Sequence, residues 1–579
     1  MTKNMPKHIT QEFLDMVKLP EKDGKRLNYL LVMPRMVECD DRSYQFPYGL
    51  CIVSSALKAS GRNVFTLNLN SKHNHLEHLR NFVIDNSIDV VLSGGLSGQY
   101  AILKEVFDTA KSVDIDIVTI CGGGIITADP LVAMQALETA DYGVIGEGEL
   151  TVNELAYAIE TNADSARICG VVTKSDVSPP RGEITDLDCL PFPDYDGFEI
   201  ELLTRDGLYN SARFRTIATN VVISRSCLYN CTFCFHSSGK KYRRRSFDNV
   251  FEELDWLIAK YKLTRFTFAD ELFIGNAELI TKFCERIKPY NLTWWAQTRV
   301  DTVSVEILSR LKDAGCCVIL FGVESADNSI LKSMRKNITV EQIDAAFEAA
   351  KQADLEVQGN LIFGDLEETR ETIVHSLNWW KARQNWTIDL SWIYTFPGSH
   401  LYKTAIERGI ITDPVKYLKD NRMQINVSKM PDKEYWDMVI NVELFYWLCG
   451  AGIDVDIEAF DSGVLTKKLT DLCASGKVAV WPTILTVAEM LNRISPEFVA
   501  HPNTFLVNVN PHQEHSKGVF EITGKPILLP QVIEDNQIET VLYAFPQLKS
   551  TVLSEITTMI DDLYPSVKRV VTIKDLLDQ

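Results

Sequence analysis

The sequence predicts an α/β protein with three parts in succession: a doubly wound parallel sheet, a partial (βα)6 barrel and a smaller C-terminal α/β domain. Apolar strand-like runs alternate with amphipathic helical stretches from residue 27 to about residue 160. Six further strand–helix repeats follow between residue 216 and about residue 413. A third, smaller region of this kind extends from about residue 458 to residue 579. The length of 579 residues suits several domains, since a typical domain has roughly 150 residues.

The composition is that of an ordinary globular protein, with 46% hydrophobic and 24% charged residues. Acidic residues outnumber basic ones by 78 to 59, and the net charge of −19 argues against nucleic-acid binding. No apolar run approaches the roughly 18 residues of a membrane-spanning helix, and residues 1–24 lack the apolar core of a signal peptide. We therefore expect a cytoplasmic protein without a membrane span or a nucleic-acid partner, whose 13 cysteines are reduced.

The chain divides into six predicted segments. They are a leader at 1–25, the doubly wound domain at 26–165, a Pro-rich linker at 166–214, the barrel at 215–415, a helical connector at 416–457 and the C-terminal domain at 458–579. The prolines of the linker break both helical and strand periodicity, which predicts a strap across a domain junction.

The predicted strands of the doubly wound sheet lie at residues 27–33, 64–69, 89–93, 116–121 and 142–145. Glycine-rich turns follow three of them, at Ser93-Gly94-Gly95, Gly122-Gly123-Gly124 and Gly146-Glu147-Gly148. Ligands of open α/β sheets bind beyond the carboxyl ends of the strands, where glycine lets the backbone approach a ligand closely. The three turns together predict a ligand site, although each turn alone is also compatible with a simple strand-to-helix connection.

The predicted barrel strands lie at residues 220–224, 265–269, 292–297, 318–323, 357–363 and 389–394. Helices are predicted between them, for example at 247–261, 276–288 and 340–352. Functional residues of such barrels lie at the carboxyl ends of the strands. We therefore expect the chemistry of this region at that end.

The C-terminal domain opens with a predicted strand at 477–481 and a predicted helix at 485–494. The turn between them, Trp481-Pro482-Thr483, has none of the glycines that bind a phosphate. We expect docking, oligomerisation or substrate capping from this domain, and no nucleotide site.

Three cysteines, Cys227, Cys231 and Cys234, follow the first predicted barrel strand. Thiolates this close together on one loop can bind a single metal centre. One interpretation is a zinc site with His236 as the fourth ligand, but zinc sites usually pair two-cysteine motifs across a longer spacer. The other interpretation is a cubane of four irons, which three cysteines can hold while one iron stays open to a ligand. The spacing favours the iron–sulfur cluster.

This spacing, with Phe233 before the last cysteine, resembles the signature of radical S-adenosylmethionine (SAM) enzymes. The resemblance continues in Phe268-Ala269-Asp270-Glu271, in Phe321-Gly322-Val323-Glu324-Ser325 and in the segment from Asn360 to Glu367, which departs from the family motif by having Asn360 in place of a glycine. It implies a [4Fe–4S] cluster on the three cysteines, and SAM contacts at Phe233, Asp270, Glu324, Ser325, Asn360, Ile362 and Gly364. Arg299 and Asp301 are further candidates, or they cap the next helix.

The first domain resembles the Rossmann-like cobalamin-binding domain that precedes the barrel in one class of these enzymes. The match includes Pro47-Tyr48-Gly49-Leu50, the Gly122 turn and the segment from Asp141 to Glu149. It implies cobalamin contacts at Ser93, Gly94, Ser97, Gly122, Gly123, Gly124, Gly146, Glu147, Gly148 and Glu149.

The Asp-x-His-x-x-Gly motif, whose histidine ligates cobalt in other cobalamin proteins, is absent from the sequence. The loop from Pro34 to Arg42 contains no histidine, and His73, His75 and His78 open a polar helix. We therefore expect cobalamin without a protein histidine on cobalt, which favours homolytic methyl transfer.

Together the resemblances imply a cobalamin-dependent radical SAM methyltransferase, in which a 5′-deoxyadenosyl radical abstracts hydrogen from an unactivated carbon and methylcobalamin supplies the methyl group. One alternative is a relative that catalyses cyclisation, ring rearrangement or oxidation without methyl transfer. Another is a cobalamin sensor, which the intact cysteine loop argues against. The implied partners are a small-molecule or biosynthetic-intermediate substrate and a reductant such as flavodoxin or ferredoxin, under anaerobic conditions.

Overall fold

The computed structural model describes residues 7–21, 24–35, 46–70, 72, 74–165, 167–201, 210–211, 214–215, 219–450, 456–458, 462–481, 488, 491–492, 494–508, 523–543, 560 and 564–578. The chain forms two compact units. The first comprises Met1–Glu367 and Asn385–Val427, and the second comprises Glu368–Gln384 and Ser428–Gln579.

The first unit begins with a six-stranded sheet. Its strands are β1 (Asn28–Met33), β2 (Asn63–Asn68), β3 (Val90–Gly94), β4 (Val118–Gly122), β5 (Tyr142–Val144) and β6 (Val171–Val172), in the order β2-β1-β3-β4-β5-β6. Strands β1 to β5 are parallel, and β6 pairs antiparallel with β5. The predicted doubly wound sheet is confirmed. Because the strand order reverses between β1 and β3, a crevice opens at the carboxyl ends of these two strands.

Helices pack on this sheet, which is why most residues of its central strands β1, β3 and β4 are apolar. They are Gln11–Met16, Tyr48–Ala59, His75–Asp85, Tyr100–Val113, Gly124–Ala128, Pro130–Ala136 and Gly148–Thr161. The core on one face joins Leu30 and Val91 of the strands to Phe107 of a helix. Leu418, from the later helix Pro414–Asp420, completes this core.

The barrel follows a short hairpin of β7 (Asn210–Ser211) and β8 (Phe214–Arg215). The next strands are β9 (Asn220–Val221), β10 (Ser224–Arg225), β11 (Arg243–Arg244), β12 (Arg265–Phe268), β13 (Thr293–Thr298), β14 (Cys316–Glu324), β15 (Glu356–Phe363) and β16 (Thr387–Trp392). Six of them form an all-parallel sheet in the order β16-β15-β14-β13-β12-β9. The predicted partial barrel is confirmed.

One predicted strand, residues 220–224, is divided in two. Strand β9 pairs with β12, whereas β10 leaves the sheet and pairs antiparallel with β11. The division has a local cause. The carboxylate of Asp270 accepts the backbone N–H groups of Ile223 and Ser224, so these donors are no longer available to the parallel ladder.

The helices of the barrel are Phe247–Tyr261, Ala277–Ile287, Val305–Asp313, Asn328–Ser333, Val340–Gln352, His400–Glu407 and Pro414–Asp420. Side-chain caps set several starts. The Ser246 hydroxyl accepts the N–H of Asn249 at 3.1 Å, and Asn276 caps the next helix in the same way. The predicted helices 247–261 and 340–352 have the observed bounds.

The Pro-rich segment between sheet and barrel contacts both. Asp194 accepts hydrogen bonds from Ser54 at 2.6 Å and Lys58 at 2.5 Å in the first domain. The neighbouring Tyr195 donates from its hydroxyl to Glu253 of the barrel at 2.7 Å. Consecutive residues of this segment therefore bind opposite sides of the junction.

The second unit contains a five-stranded parallel sheet in the order β19-β18-β17-β20-β21. Its strands are β17 (Val478–Val480), β18 (Thr504–Val507), β19 (Ile527–Leu528), β20 (Thr540–Tyr543) and β21 (Arg569–Thr572). Its helices are Arg370–Lys381, Asp432–Gly450, Ser462–Ser475, Pro496–Ala500, Val532–Asp535 and Ile573–Asp578. The predicted C-terminal α/β domain is confirmed, while the glycine-free turn at 482–483 lies outside the described residues. None of the described helices is long and apolar enough to span a bilayer.

Candidate functional site

The loop that joins β10 to β11 carries the three clustered cysteines. All three line one cavity of about 670 Å³: Cys227, Cys231 and Cys234. The backbone N–H of Thr232, inside this loop, donates to the carbonyl oxygen of Met334 at 3.0 Å. The carbonyl oxygen of Thr232 accepts the N–H of Leu401 at 3.1 Å. Backbone from two other barrel segments therefore fixes the position of the thiols.

His236 is not free to act as a fourth ligand, because both of its ring nitrogens are hydrogen-bonded. Nδ1 pairs with Glu271, and Nε2 pairs with the carbonyl oxygen of Tyr229 at 3.1 Å. Within the described part of the chain, no three His, Cys, Asp or Glu side chains are close enough together to bind a single metal ion. His236 therefore does not supply the fourth ligand that a zinc site needs. Three thiols around one cavity fit a cubane cluster with one open iron.

Burial raises the pKa of each of the three thiols, and that of Cys234 reaches about 12, with Cys231 and Glu324 adding to the effect. The protein alone therefore disfavours the thiolate forms. Bound metal supplies the positive charge that deprotonates a coordinating thiol. The donor set thus suits a cationic cluster core.

A buried ion pair lines the same cavity. Glu324 ends β14 with a φ of +65°, where the pairing with β15 shifts register. Its Oε1 accepts a hydrogen bond from Nζ of Lys336 at 2.7 Å, and both side chains are less than one-tenth exposed. Burial alone would lower the pKa of Lys336, but the Glu324 carboxylate raises it above its ordinary value. A left-handed conformation at a buried residue other than glycine is typical of binding sites.

Arg299 also lines this cavity. Its guanidinium donates to the Asp301 carboxylate at 2.9 and 3.1 Å and to the carbonyl oxygen of Lys336 at 2.9 Å. The helix Val305–Asp313 is capped by Ser304 instead. Arg299 and Asp301 therefore do not cap that helix, and the guanidinium is held at the cavity wall by these partners.

The predicted SAM contacts divide into two groups. Four of them line the cavity: Phe233, Glu324, Asn360 and Ile362. The lining does not include Asp270, Ser325 or Gly364. Ser325 accepts the N–H of Asp327 at 3.1 Å, and Gly364 follows β15 with a φ of +104°. These two residues shape the loops that follow β14 and β15, and their contact with SAM stays a prediction.

Asp270 is fully engaged by the protein. Its carboxylate accepts the N–H of Ile223 at 3.1 Å and the Ser224 hydroxyl at 2.6 Å. Burial raises the pKa of Asp270 to about 6, against the lowering effect of these donors. The structure favours a role in positioning β10, and through it the cysteine loop, over direct contact with a cofactor.

A second cavity, of about 440 Å³, lies at the carboxyl ends of the first sheet. Nine of the ten predicted cobalamin contacts line it: Ser93, Gly94, Gly122, Gly123, Gly124, Gly146, Glu147, Gly148 and Glu149. The tenth, Ser97, is buried and begins the turn Ser97–Gln99. The predicted residues therefore meet at one crevice.

The glycine turns pack backbone against backbone at this crevice. A Cβ on Gly94 would lie 2.8 Å from the carbonyl oxygen of Gly122, and one on Gly123 would lie 2.8 Å from that of Gly95. Gly123 also has a φ of +83°. A Cβ on Gly122, by contrast, meets no atom within 4 Å. The open side of this turn fits a large cofactor that lies directly against the backbone.

Glu147 and Glu149 are paired with arginines of the β10–β11 ribbon. Arg225 donates to Glu147 at 2.6 Å and to Glu149 at 2.5 Å. Arg243 donates to both oxygens of Glu147 at 2.8 and 2.9 Å. Burial alone would raise the pKa of Glu147, but the charge and hydrogen bonds of Arg225 hold it below its ordinary value. The Glu147 carboxylate is therefore ionised, and both carboxylates are bound to the barrel.

The two cavities adjoin each other. Ser237 and Glu271 belong to the lining of both. Glu271 is also the partner of His236. Ligands in the two cavities would therefore be separated by little more than these side chains.

Sequence reasoning missed Arg225, Arg243 and Lys336. The two arginines had a signal, because Arg225 and the run Arg243-Arg244-Arg245 flank the cysteine loop of an otherwise acidic chain. Lys336 had none, since it lies beyond β14 in an unremarkable basic stretch. Its role depends on the three-dimensional contact with Glu324.

Comparison with known families matches both halves of the first unit. Residues 221–379 match the family model of the radical SAM superfamily. Residues 42–156 match that of the B12 binding domain. The first match contains the cysteine loop, and the second contains the glycine-rich crevice.

An uncharacterized methyltransferase of Pyrococcus horikoshii is 30% identical over 56% of this chain and 73% of its own length. The anaerobic magnesium-protoporphyrin IX monomethyl ester cyclase of Rubrivivax gelatinosus is 27% identical over 54% of this chain, which spans 58% of that relative. Among solved structures, the radical SAM methyltransferase TsrM of Kitasatospora setae, with cobalamin and a [4Fe–4S] cluster bound, has a TM-score of 0.53. It is 19% identical, over 66% of this chain and 76% of its own, and shares the fold.

The fold, the cysteine loop, the glycine-rich crevice and these matches agree with one another. The chain belongs to the radical SAM superfamily and is a cobalamin-dependent member of it, an enzyme that uses a [4Fe–4S] cluster, SAM and cobalamin.

Proposed function

We propose that this enzyme methylates an unactivated carbon of a small-molecule or biosynthetic-intermediate substrate. The observation that carries the proposal is the shared lining of the two cavities at Ser237 and Glu271. Direct methyl transfer needs the methyl donor and the site of hydrogen abstraction to face one substrate carbon. Adjoining cavities meet that requirement.

When bound, the cluster and SAM supply a 5′-deoxyadenosyl radical, and cobalamin supplies a transferable methyl group. The protein contributes positioning, electrostatics and exclusion of water. Cys227, Cys231 and Cys234 would hold the cluster. Lys336 and Arg299 present positive charge to the same cavity, and Glu324 presents negative charge. This pattern suits the carboxylate and the ammonium group of the amino-acid part of SAM.

The crevice of the first domain favours a cofactor protected from water. Apolar side chains dominate its wall: Met33, Phe46, Leu92, Ile120 and Val144. All five are buried in the described structure. Such a lining limits the access of water to a reactive ligand.

We further propose that the enzyme works in the cytoplasm, where a reductant such as flavodoxin or ferredoxin is available. The net charge of −19 supports a small-molecule substrate over a nucleic acid.

Isotopic labelling tests the proposal. Reconstituted protein, loaded with hydroxocobalamin and reduced anaerobically, is incubated with a small-molecule cell extract and with SAM carrying a trideuterated methyl group. We expect a product that carries the label. The matched control replaces Cys227, Cys231 and Cys234 by alanine, which should remove the roughly four irons of the cluster and all 5′-deoxyadenosine. A labelled product from the triple variant would contradict the proposed role of the cluster.

A second candidate function keeps both cofactors but transfers no methyl group. The relationship to the cyclase of Rubrivivax gelatinosus favours it. Such an enzyme would use the radical for ring closure, rearrangement or oxidation. The two candidates differ in the fate of the SAM methyl group, which is measurable.

A further inference from the structure

We propose that Glu147 and Glu149 of the first domain are positioning residues for the cysteine loop. By neutralising Arg225 and Arg243 they hold the β10–β11 ribbon, and with it the loop, at the edge of the glycine-rich crevice. This inference rests on the proposed function in one respect, namely that each cavity binds its cofactor.

The ribbon places two like charges side by side. Arg225 and Arg243 are direct cross-strand partners, and each strand has only two residues. Like charges directly opposite each other destabilise an antiparallel pair. An isolated two-stranded ribbon is also marginal in water. The ribbon therefore needs anions from elsewhere in the molecule.

The first domain supplies most of these anions, and Glu183 of the Pro-rich segment lies 3.6 Å from Arg243. Arg225 spans both carboxylates, at 2.6 Å to Glu147 and 2.5 Å to Glu149, and Arg243 binds Glu147 through both oxygens. The four side chains are at most 12% exposed. Buried charge pairs of this kind are strongly destabilised when one partner is removed. The carboxylates are thus required for the ribbon in its observed position.

The guanidinium of Arg243 also joins the ribbon to its surroundings. It donates to the carbonyl oxygen of Ile184 in the Pro-rich segment at 2.8 Å and to that of Ser238 in the cysteine loop at 2.6 Å. The planar fork of arginine allows these bonds alongside the carboxylate pair, which the point charge of lysine does not. The Arg243 side chain therefore contacts the first domain, the Pro-rich segment and the cysteine loop.

The consequence is a fixed spacing between the two cavities. Glu147 and Glu149 line the crevice of the first domain, and they bind the ribbon at both ends of the loop that carries Cys227, Cys231 and Cys234. A shift of the loop would require these ion pairs to break. The carboxylates thus couple the cluster position to the cobalamin position without contact with substrate.

Hydrogen–deuterium exchange on the cofactor-free protein tests this role. In the variant E147Q/E149Q, amides of residues 226–242 should exchange at least about tenfold faster, because an unpaired buried arginine costs more than that factor. The control is Glu160→Gln, which removes a similarly buried pair within the first domain, with Arg62 at 2.9 Å. It should leave exchange in 226–242 unchanged. Adding R225Q to E147Q/E149Q should slow the exchange again, because Arg225 is the arginine that loses both of its carboxylates, whereas Arg243 keeps Glu183.

A second readout uses the holoenzyme. In protein reduced with both cofactors bound, the paramagnetic cluster speeds the electron-spin relaxation of cob(II)alamin when the two are held at a short, fixed distance. This enhancement should be lost in E147Q/E149Q and kept in Glu160→Gln. Neither readout depends on methyl transfer, so an enzyme that failed to methylate would still show both effects.

Unchanged exchange in residues 226–242 of E147Q/E149Q would overturn the proposal. Equal acceleration throughout the chain in E147Q/E149Q and in Glu160→Gln would also overturn it, since that pattern indicates a general role in stability. If E147Q/E149Q does not fold, Glu149→Gln alone gives the same comparison. It removes one partner of Arg225 and leaves Glu147 paired with both arginines.

Discussion

At the scale of single residues, the SAM cavity depends on charges held away from water. Lys336 is buried, yet its ammonium stays charged because Glu324 lies 2.7 Å away. Arg299 adds a second cation, bound to the carbonyl oxygen of Lys336. The sequence indicated Glu324 at the end of an apolar strand and Arg299 after the preceding strand, whereas Lys336 has no local motif.

Replacing Lys336 by methionine should weaken SAM binding at least about tenfold, because a charged donor is lost from a dry cavity and Glu324 is left unpaired. Titration calorimetry with SAM on the cluster-reconstituted protein measures the affinity. The control is Lys312→Met, which removes a lysine from an exposed ion pair with Asp354. Surface pairs of that kind contribute little. Equal affinity in the two variants would contradict the role given to Lys336.

Asp270 makes a pH-dependent contribution to stability. Burial raises its pKa in the folded protein to about 6, above the value of about 4 in an unfolded chain. The folded state therefore binds the proton more tightly, and stability falls as the pH rises from about 4 to about 6, by an amount on the order of 3 kcal/mol. Below this pH range Asp270 is protonated in both the folded and the unfolded protein. Above it Asp270 is ionised in both, and the full loss of stability is present.

The variant Asp270→Asn lacks this titration. Thermal unfolding of the cofactor-free protein across the same pH range should show wild type losing stability relative to the variant as the pH rises. The variant also tests the positioning role, since it removes the charge that accepts the N–H groups of Ile223 and Ser224. A difference that is the same at every pH would show that Asp270 does not titrate in this window.

At the scale of elements, the strands and helices were predictable where burial imposes a period. Parallel strands covered on both faces are continuous apolar runs, and the five strands predicted for the first sheet appear within two residues of their predicted bounds. The division of residues 220–224 into β9 and β10 was not predictable. It depends on Asp270, 46 residues further along the chain from Ser224.

The candidate site was likewise predictable only where it consists of local sequence patterns. The cysteine loop and the glycine turns are local patterns, and the structure gathers them at two cavities. The pairing of Glu147 and Glu149 with Arg225 was not predictable, because it joins residues 78 and 76 positions apart in sequence. Side-chain contacts at that separation leave no periodic signal.

The glycine turn after β4 allows a direct test of the crevice. A leucine at Gly123 would clash with the backbone of Gly95 and distort the turn itself. Gly122 is the better position, because its Cβ would enter open space. Gly122→Leu should fold and should bind hydroxocobalamin at least about tenfold more weakly, since the side chain occupies the ligand's volume.

Retention of hydroxocobalamin after desalting, followed by its absorbance, measures this loss. The matched control is Gly182→Leu, at an exposed glycine of the Pro-rich segment whose Cβ would also meet no atom within 4 Å. It should retain the cofactor as wild type does. Full retention by Gly122→Leu would place cobalamin elsewhere.

At the scale of the whole molecule, the first unit brings two cofactor sites from distant parts of the chain to one place. The crevice of the first sheet and the cavity of the barrel share Ser237 and Glu271, and the β10–β11 ribbon of the barrel is bound to the first domain. Such an arrangement serves a reaction in which one substrate carbon meets both cofactors in turn. This is the central claim of the proposed methyl transfer.

The ratio of S-adenosylhomocysteine to 5′-deoxyadenosine tests that claim most directly. It is measured under strict anaerobiosis with reductant and with the substrate that acquires the SAM label. A methyltransferase consumes one SAM to methylate cobalamin and another to generate the radical, so we expect the two products in equal amounts. A ratio far below one, with substrate converted to a product that carries no label, would contradict methyl transfer and establish the non-methylating candidate.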